Sequence, residues 1–89
     1  MNWQIEFDAH ALTELRKLDK TAGVRILKYL QEWISTADDP RRLGKALSGD
    51  KAGFGRYRVG DYRIIVRIED KKLVVLVIAV GHRSDIYRT

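Results

Sequence analysis

The chain has 89 residues, no cysteine, 45% hydrophobic and 33% charged residues, and a formal net charge of +5. That length holds one domain, residues 1–89, with a single modest core. The missing cysteines exclude a disulfide framework and a thiolate zinc centre, and the longest apolar run, LVVLVIAV (73–80), is too short for a membrane-spanning helix.

In chain order, WQIEF (3–7) alternates Trp3, Ile5 and Phe7 with polar residues, the period of a half-buried strand. Asp8 is placed to cap a helix from Ala9 to about Leu18, whose stripe is Leu12, Leu15 and Leu18. Asp19 or Thr21 starts a second, longer helix in which Ile26, Leu27, Leu30, Trp33 and Ile34 recur at spacings of three and four. Both tryptophans read as core residues rather than stacking platforms. Asp39-Pro40 stops the helix, because the residue before a proline is pushed out of the helical region. PRRLGKALSGDKAG (40–53) reads as a loop.

The period then switches to two. FGRYRV and YRIIVRIE flank Gly60-Asp61, and KLVVLVIAV follows Asp70-Lys71, so two short hairpin turns are predicted. GHRSDIYRT extends this pattern as a short edge strand. The predicted fold class is α+β: an N-terminal strand and a two-helix hairpin packed on an antiparallel sheet of four to five strands.

Across a two-residue Gly60-Asp61 turn, Arg58 faces Arg63, Tyr57 faces Ile64, and Arg56 faces Ile65. Tyr57, Val59, Tyr62, Ile64, Val66 and Ile68 then share the face under the helices, and Arg56, Arg58, Arg63 and Arg67 share the other with Ile65. Glu69 is expected to pair with Lys72 across the second turn and leave the arginines alone. Between residues 41 and 63 lie seven cations, Arg41, Arg42, Lys45, Lys51, Arg56, Arg58 and Arg63, against Asp50 and Asp61. Like charges facing across a ladder destabilise it, so such a face points to a polyanion. Arginine's planar fork suits phosphate in particular.

Taken together, ALTELRKLD, RLGKALSGD, RVGDYRIIV and the ending VGHRSDIYR resemble the RelE toxins of bacterial and archaeal toxin–antitoxin systems, within the RelE/ParE superfamily. The resemblance covers nearly the full length. It implies a ribosome-dependent, metal-independent endoribonuclease that cuts messenger RNA in the ribosomal A site by 2′-hydroxyl attack, with no cofactor. It implies three catalytic residues: Arg63 holding the scissile phosphate, Arg83 as second arginine and Tyr87 as general base. Arg56 and Arg58 stand where well-known members carry two lysines, and Ser48 where some carry a basic loop residue. Arg56, Arg58, Lys45 and His82 are the expected RNA-binding set. The implied partners are a cognate antitoxin, the ribosome and its message, with operator DNA reached through the antitoxin; no membrane is involved and the location is cytoplasmic.

Bland readings stand beside these. Tyr87 alone would read as packing on a sheet edge, His82 as a hydrogen-bonded turn residue, Asp85 as an ion-pair partner and His10 as surface. Pairing across Asp70-Lys71 puts Ile78 beside Arg63 and gives the arginine face to Val74, Leu76, Ile78, Val80 and His82. Arg83 reaches Arg63 only through a bulge or bend at Gly81, which glycine permits. That apolar strip reads as a dock for an antitoxin segment. The alternative functions are a ParE-type DNA gyrase inhibitor that cleaves nothing, and a non-catalytic RNA- or antitoxin-binding protein.

Overall fold

The computed structural model describes residues 2–46 and 53–82. Strand β1 (Gln4–Phe7) leads into helix α1 (Ala9–Lys17), and Asp8 caps it as predicted, accepting from the Ala11 N–H at 2.7 Å. Leu18 is extended, which ends α1. Asp19 then caps α2 (Lys20–Tyr29) by accepting from the Ala22 N–H at 2.7 Å. Each cap satisfies one of the backbone donors left over at a helix start, and is worth about 1 kcal/mol.

Past Tyr29 the helix widens into a π turn over Leu30–Ile34, where the Ser35 N–H donates to the Leu30 carbonyl five residues back at 2.8 Å. The wide turn keeps Ile26, Leu30 and Ile34, each four residues apart, fully buried on the sheet. Trp33 falls off that line and is 61% exposed, so the expectation that it is core is overturned. Trp3 is buried as expected. The helix ends before Pro40, stitched to the N-terminus: the Trp3 N–H donates to the Ser35 carbonyl and the Ser35 hydroxyl to the Trp3 carbonyl, both at 2.7 Å. Segment 40–53 is not all loop. Pro40–Leu43 is a 3-10 turn capped by Asp39, and Lys45–Ala46 forms a two-residue strand, β2.

β3 (Phe54–Val59), β4 (Tyr62–Glu69) and β5 (Val74–His82) complete a five-stranded sheet in the order β1-β5-β4-β3-β2. β1 pairs with β5 in parallel, and the remaining neighbours are antiparallel. The helices cover one face. Ala11, Ile26, Leu30 and Ile34 meet Tyr57, Ile64, Val66, Val75, Val77 and Val80 there, and burying one such aliphatic side chain is worth about 1.5–3 kcal/mol.

The β3–β4 hairpin has the predicted register, Arg58 opposite Arg63 and Tyr57 opposite Ile64. Gly60 supplies the left-handed residue of its turn at φ 59°. The β4–β5 hairpin departs from expectation. Its connection spans Asp70–Leu73, a 3-10 turn closed by Leu73 at φ 53°, so Glu69 faces Val74 rather than Lys72. Glu69 instead pairs with Arg67 at 3.6 Å, and Arg67 is therefore not left alone.

The bulge expected at Gly81 lies three residues earlier in β5: Val66 faces Val77 but Ile65 faces Ala79, and Ile78 is the extra residue. That single insertion reverses the alternation of the strand's last third. Val80 therefore enters the core and His82 lies opposite Tyr62 on the helix side; together with the two-residue shift at the longer turn, the insertion brings Gly81 rather than Ile78 opposite Arg63.

Candidate functional site

The outer face of the β3–β4 hairpin carries the cations. Arg58 and Arg63 are registered directly across the ladder, and Lys45 of β2 is registered beside Arg56 of β3. These four, with Arg42 from the 3-10 turn, line one concavity of about 370 Å³. No carboxylate lines it, and among the described residues none pairs with Arg42, Arg58 or Arg63. Its remaining lining is Leu43, Gly44 and Tyr57.

Three contacts hold the 40–45 segment over the sheet. The buried Tyr57 hydroxyl donates to the Pro40 carbonyl at 2.7 Å. Burial pushes the Tyr57 pKa well above its ordinary value, so this hydroxyl stays a donor at neutral pH. Gly44 passes so close to β3 that a Cβ there would lie 2.4 Å from the Arg56 carbonyl oxygen. Arg41 makes a two-pronged ion pair with Asp70, at 2.8 and 2.6 Å, tying the turn to the β4–β5 connection. That hydrogen-bonded pair raises the Arg41 pKa and lowers the Asp70 pKa. The two adjacent arginines thus divide their roles: Arg41 braces the turn and Arg42 faces the concavity.

The shape is a shallow, water-accessible cradle of guanidinium groups set on rigid strands. It can neutralise a phosphodiester and grip its non-bridging oxygens in pairs, but it offers no apolar enclosure for a neutral small molecule. Among the described residues no cluster of histidine and carboxylate side chains is arranged to hold a metal ion. No described helix is long and apolar enough to cross a membrane.

A family profile described as "ParE toxin of type II toxin-antitoxin system, parDE" matches residues 5–87. The chain is 36% identical to Toxin RelG of Mycobacterium tuberculosis over 88 residues, covering 99% of each chain. The chain belongs to the RelE/ParE family of type II toxins. It is also 34% identical over 90 residues to the mRNA interferase toxin RelE of Escherichia coli K12, covering 98% of this chain and 92% of that one. Its fold matches the toxin–antitoxin complex RelBE2 of M. tuberculosis with a TM-score of 0.84 at 29% identity, over 96% of this chain and 95% of that one. The isolated E. coli RelE toxin gives 0.72 at 29% identity, over 96% and 90%.

Of the family-implied residues, the structure brings Arg56, Arg58, Arg63 and Lys45 together in one cradle. It does not bring His82 to them. The His82 ring meets Tyr62 edge-on at 5.9 Å on the opposite side of the sheet, in a groove it shares with His10, Glu14 and Lys17. The expected sharing of the arginine face by His82 and Val80 is overturned by the bulge at Ile78. Arg83, Tyr87, Asp85 and Ser48 lie outside the described residues. Sequence reasoning counted Arg42 in the basic segment but missed it as a site residue. Its signal was the Arg-Arg pair after Pro40, where Asp70, distant in sequence, engages only the first.

Proposed function

We propose that this toxin is a ribosome-dependent endoribonuclease that cuts messenger RNA in the A site. The observation that carries the reading is the Arg58–Arg63 cross-strand pair, held without a carboxylate among the described residues. The relatedness to a protein named mRNA interferase toxin RelE supports it. In the proposed reaction the ribose 2′-oxygen forms a bond to the adjacent phosphorus while the bond to the 5′-oxygen breaks. A 2′,3′-cyclic phosphate and a 5′-hydroxyl result. One proton leaves the 2′-hydroxyl for a general base and one is delivered to the 5′-oxygen. Arg63, with Arg58 beside it, stabilises the negative charge that grows on the phosphorane oxygens; such preorganised charge is commonly the largest catalytic contribution.

Arg83 is the proposed second active-site arginine, and what supports it is the strand that leads to it: Ala79 and Gly81 lie opposite Ile65 and Arg63 on the arginine face. Tyr87 is the proposed base. Its unperturbed pKa of about 10 is poor for that task, and neighbouring guanidinium groups would lower it by favouring phenolate. Arg56 and Lys45, side by side on β3 and β2, bind a neighbouring phosphate of the strand. The proposed partner in the resting state is an antitoxin, as in the toxin–antitoxin complexes whose toxin chains share this fold.

The deciding experiment is cleavage of a defined message on programmed ribosomes with an empty A site. A single A-site cut by the wild type, reduced about 10²- to 10³-fold in Arg63→Ala, supports the assignment. The same message is tested with Arg83→Ala and Tyr87→Phe. If the folded wild type leaves the message intact, the nuclease reading fails. Gyrase inhibition, which rests on the name of the family profile, is then tested by DNA supercoiling.

A further inference from the structure

Phosphates in the arginine cradle leave the bases of the strand unplaced. A second concavity lies beside the cradle. Trp33, one of the two tryptophans of the chain, is turned 61% to solvent by the π turn over Leu30–Ile34. Such wide turns inside helices recur at functional sites. Trp33 lines a groove of about 320 Å³ with Leu43, itself 42% exposed, and with Arg42. Arg42 and Leu43 also line the arginine cradle, so the two concavities share a wall.

Their charges differ in a way that sorts the parts of a nucleotide. The cradle holds five cations and no acid. The groove holds one cation and two acids, Asp38 and Asp39. Asp39 is engaged in the turn, accepting from the Arg41 N–H at 3.0 Å with the Arg41 guanidinium 4.0 Å away. Asp38 is exposed. A phosphate would be repelled there, whereas an uncharged ring with N–H groups on its edge would not. The walls that remain are Trp33, Leu43, Ala37 and Thr36, whose hydroxyl is spent on the Glu32 carbonyl at 2.7 Å.

We propose that Trp33 is a stacking platform for an unpaired base of the same RNA strand whose phosphates lie in the cradle, with Arg42 at the junction. This rests on the RNA reading of the cradle. It adds a base contact set off from the cleaved bond, which fixes how the strand lies across the arginines. Every base has a π-face, so the contact positions the strand with little dependence on sequence.

The test is an equilibrium titration with a short single-stranded 2′-O-methyl RNA, which the toxin cannot cleave, at several salt concentrations. Wild type is compared with Trp33→Ala, Trp33→Phe and Arg63→Ala, each checked for folding by circular dichroism. Removing a stacking platform weakens binding about 5- to 150-fold. Trp33→Ala should do so without changing the salt slope, and Trp33→Phe should regain most of the affinity. Arg63→Ala should instead reduce the slope by about 0.7, one phosphate contact on a single strand. Equal binding by wild type and Trp33→Ala, with Arg63→Ala impaired, overturns the platform and leaves the RNA reading standing. No binding by wild type overturns the platform as a contact the toxin makes by itself, and the ribosome-dependent reading is then judged by the A-site cleavage assay alone. If Trp33→Ala binds RNA normally but loses capture of the antitoxin, the groove is a protein contact and the proposal is wrong.

Discussion

The Glu14 carboxylate of α1 accepts a hydrogen bond from the Val80 N–H of β5 at 2.9 Å, across 66 residues of sequence. β1 pairs with β5 only as far as Val77, so beyond that point the edge of β5 has no strand partner among the described residues. Glu14 supplies the missing acceptor just past the bulge at Ile78, where the alternation reverses. Replacing it by leucine leaves a buried-side N–H unsatisfied, and the expected loss is about 1–3 kcal/mol in urea denaturation. Glu14→Gln keeps an acceptor and should lose less. Equal stability of Glu14→Leu and wild type would mean water caps Val80 as well as the carboxylate does.

Gly44 sets the distance between the 40–45 segment and β3. A methyl group there meets the Arg56 carbonyl at 2.4 Å and the Tyr57 ring at 2.7 Å, both on a strand that cannot yield. Gly44→Ala should therefore push the segment off the sheet, at about 1–3 kcal/mol, and carry Arg42 and Lys45 away from Arg56 and Arg58. The check is chemical unfolding together with amide chemical shifts of residues 54–59. Unchanged shifts would refute it.

Arg58 and Arg63 repel each other across the ladder, so a function that needs both opposes stability. Arg58→Thr should raise stability by about 0.2–1 kcal/mol while weakening RNA binding. Thermal melts and binding titrations of the same variant test the two halves. A less stable Arg58→Thr would show that packing of the arginine stem outweighs the repulsion.

Tyr57 links the core to the cradle through its hydrogen bond to Pro40. Its folded pKa is raised by burial, so in base the unfolded chain releases this proton while the native state keeps it. Tyr57 therefore destabilises the fold progressively as pH rises above the unfolded tyrosine value of about 10. Tyr57→Phe should cost about 1–2 kcal/mol at pH 7 and show a shallower alkaline loss of stability than wild type. Parallel alkaline limbs would argue against the buried phenol.

Asp70 behaves oppositely. Arg41 holds its folded pKa below the ordinary 3.8, so its contribution is present above that value and disappears as pH falls through the lowered one. The pair is exposed, so salt should shrink the effect. Urea midpoints of wild type and Asp70→Asn should differ near neutral pH and converge in acid. A difference that persists at the acid end would assign Asp70 a role other than this ion pair.

Local chemistry was legible in the sequence. Asp8 and Asp19 sit one residue ahead of their helices. Gly60-Asp61 fixes the β3–β4 register, and the period of two then sorts arginines from aliphatic residues without any knowledge of the rest of the chain. The departures lie in irregular turns and in long-range contacts. Whether Trp33 is buried depended on a π turn that the four-residue spacing of Ile26, Leu30 and Ile34 does not announce. Which of Arg41 and Arg42 faces the cradle depended on Asp70, brought near by the fold. Which face receives His82 depended on one extra residue at Ile78, since a single insertion reverses every later side chain. Sequence periodicity by itself determined what β3 and β4 would bury; the tertiary structure decided the register of β4 with β5 and so which residues β5 buries, because pairing two strands across an irregular turn is set by the packing of both faces and not by either strand alone.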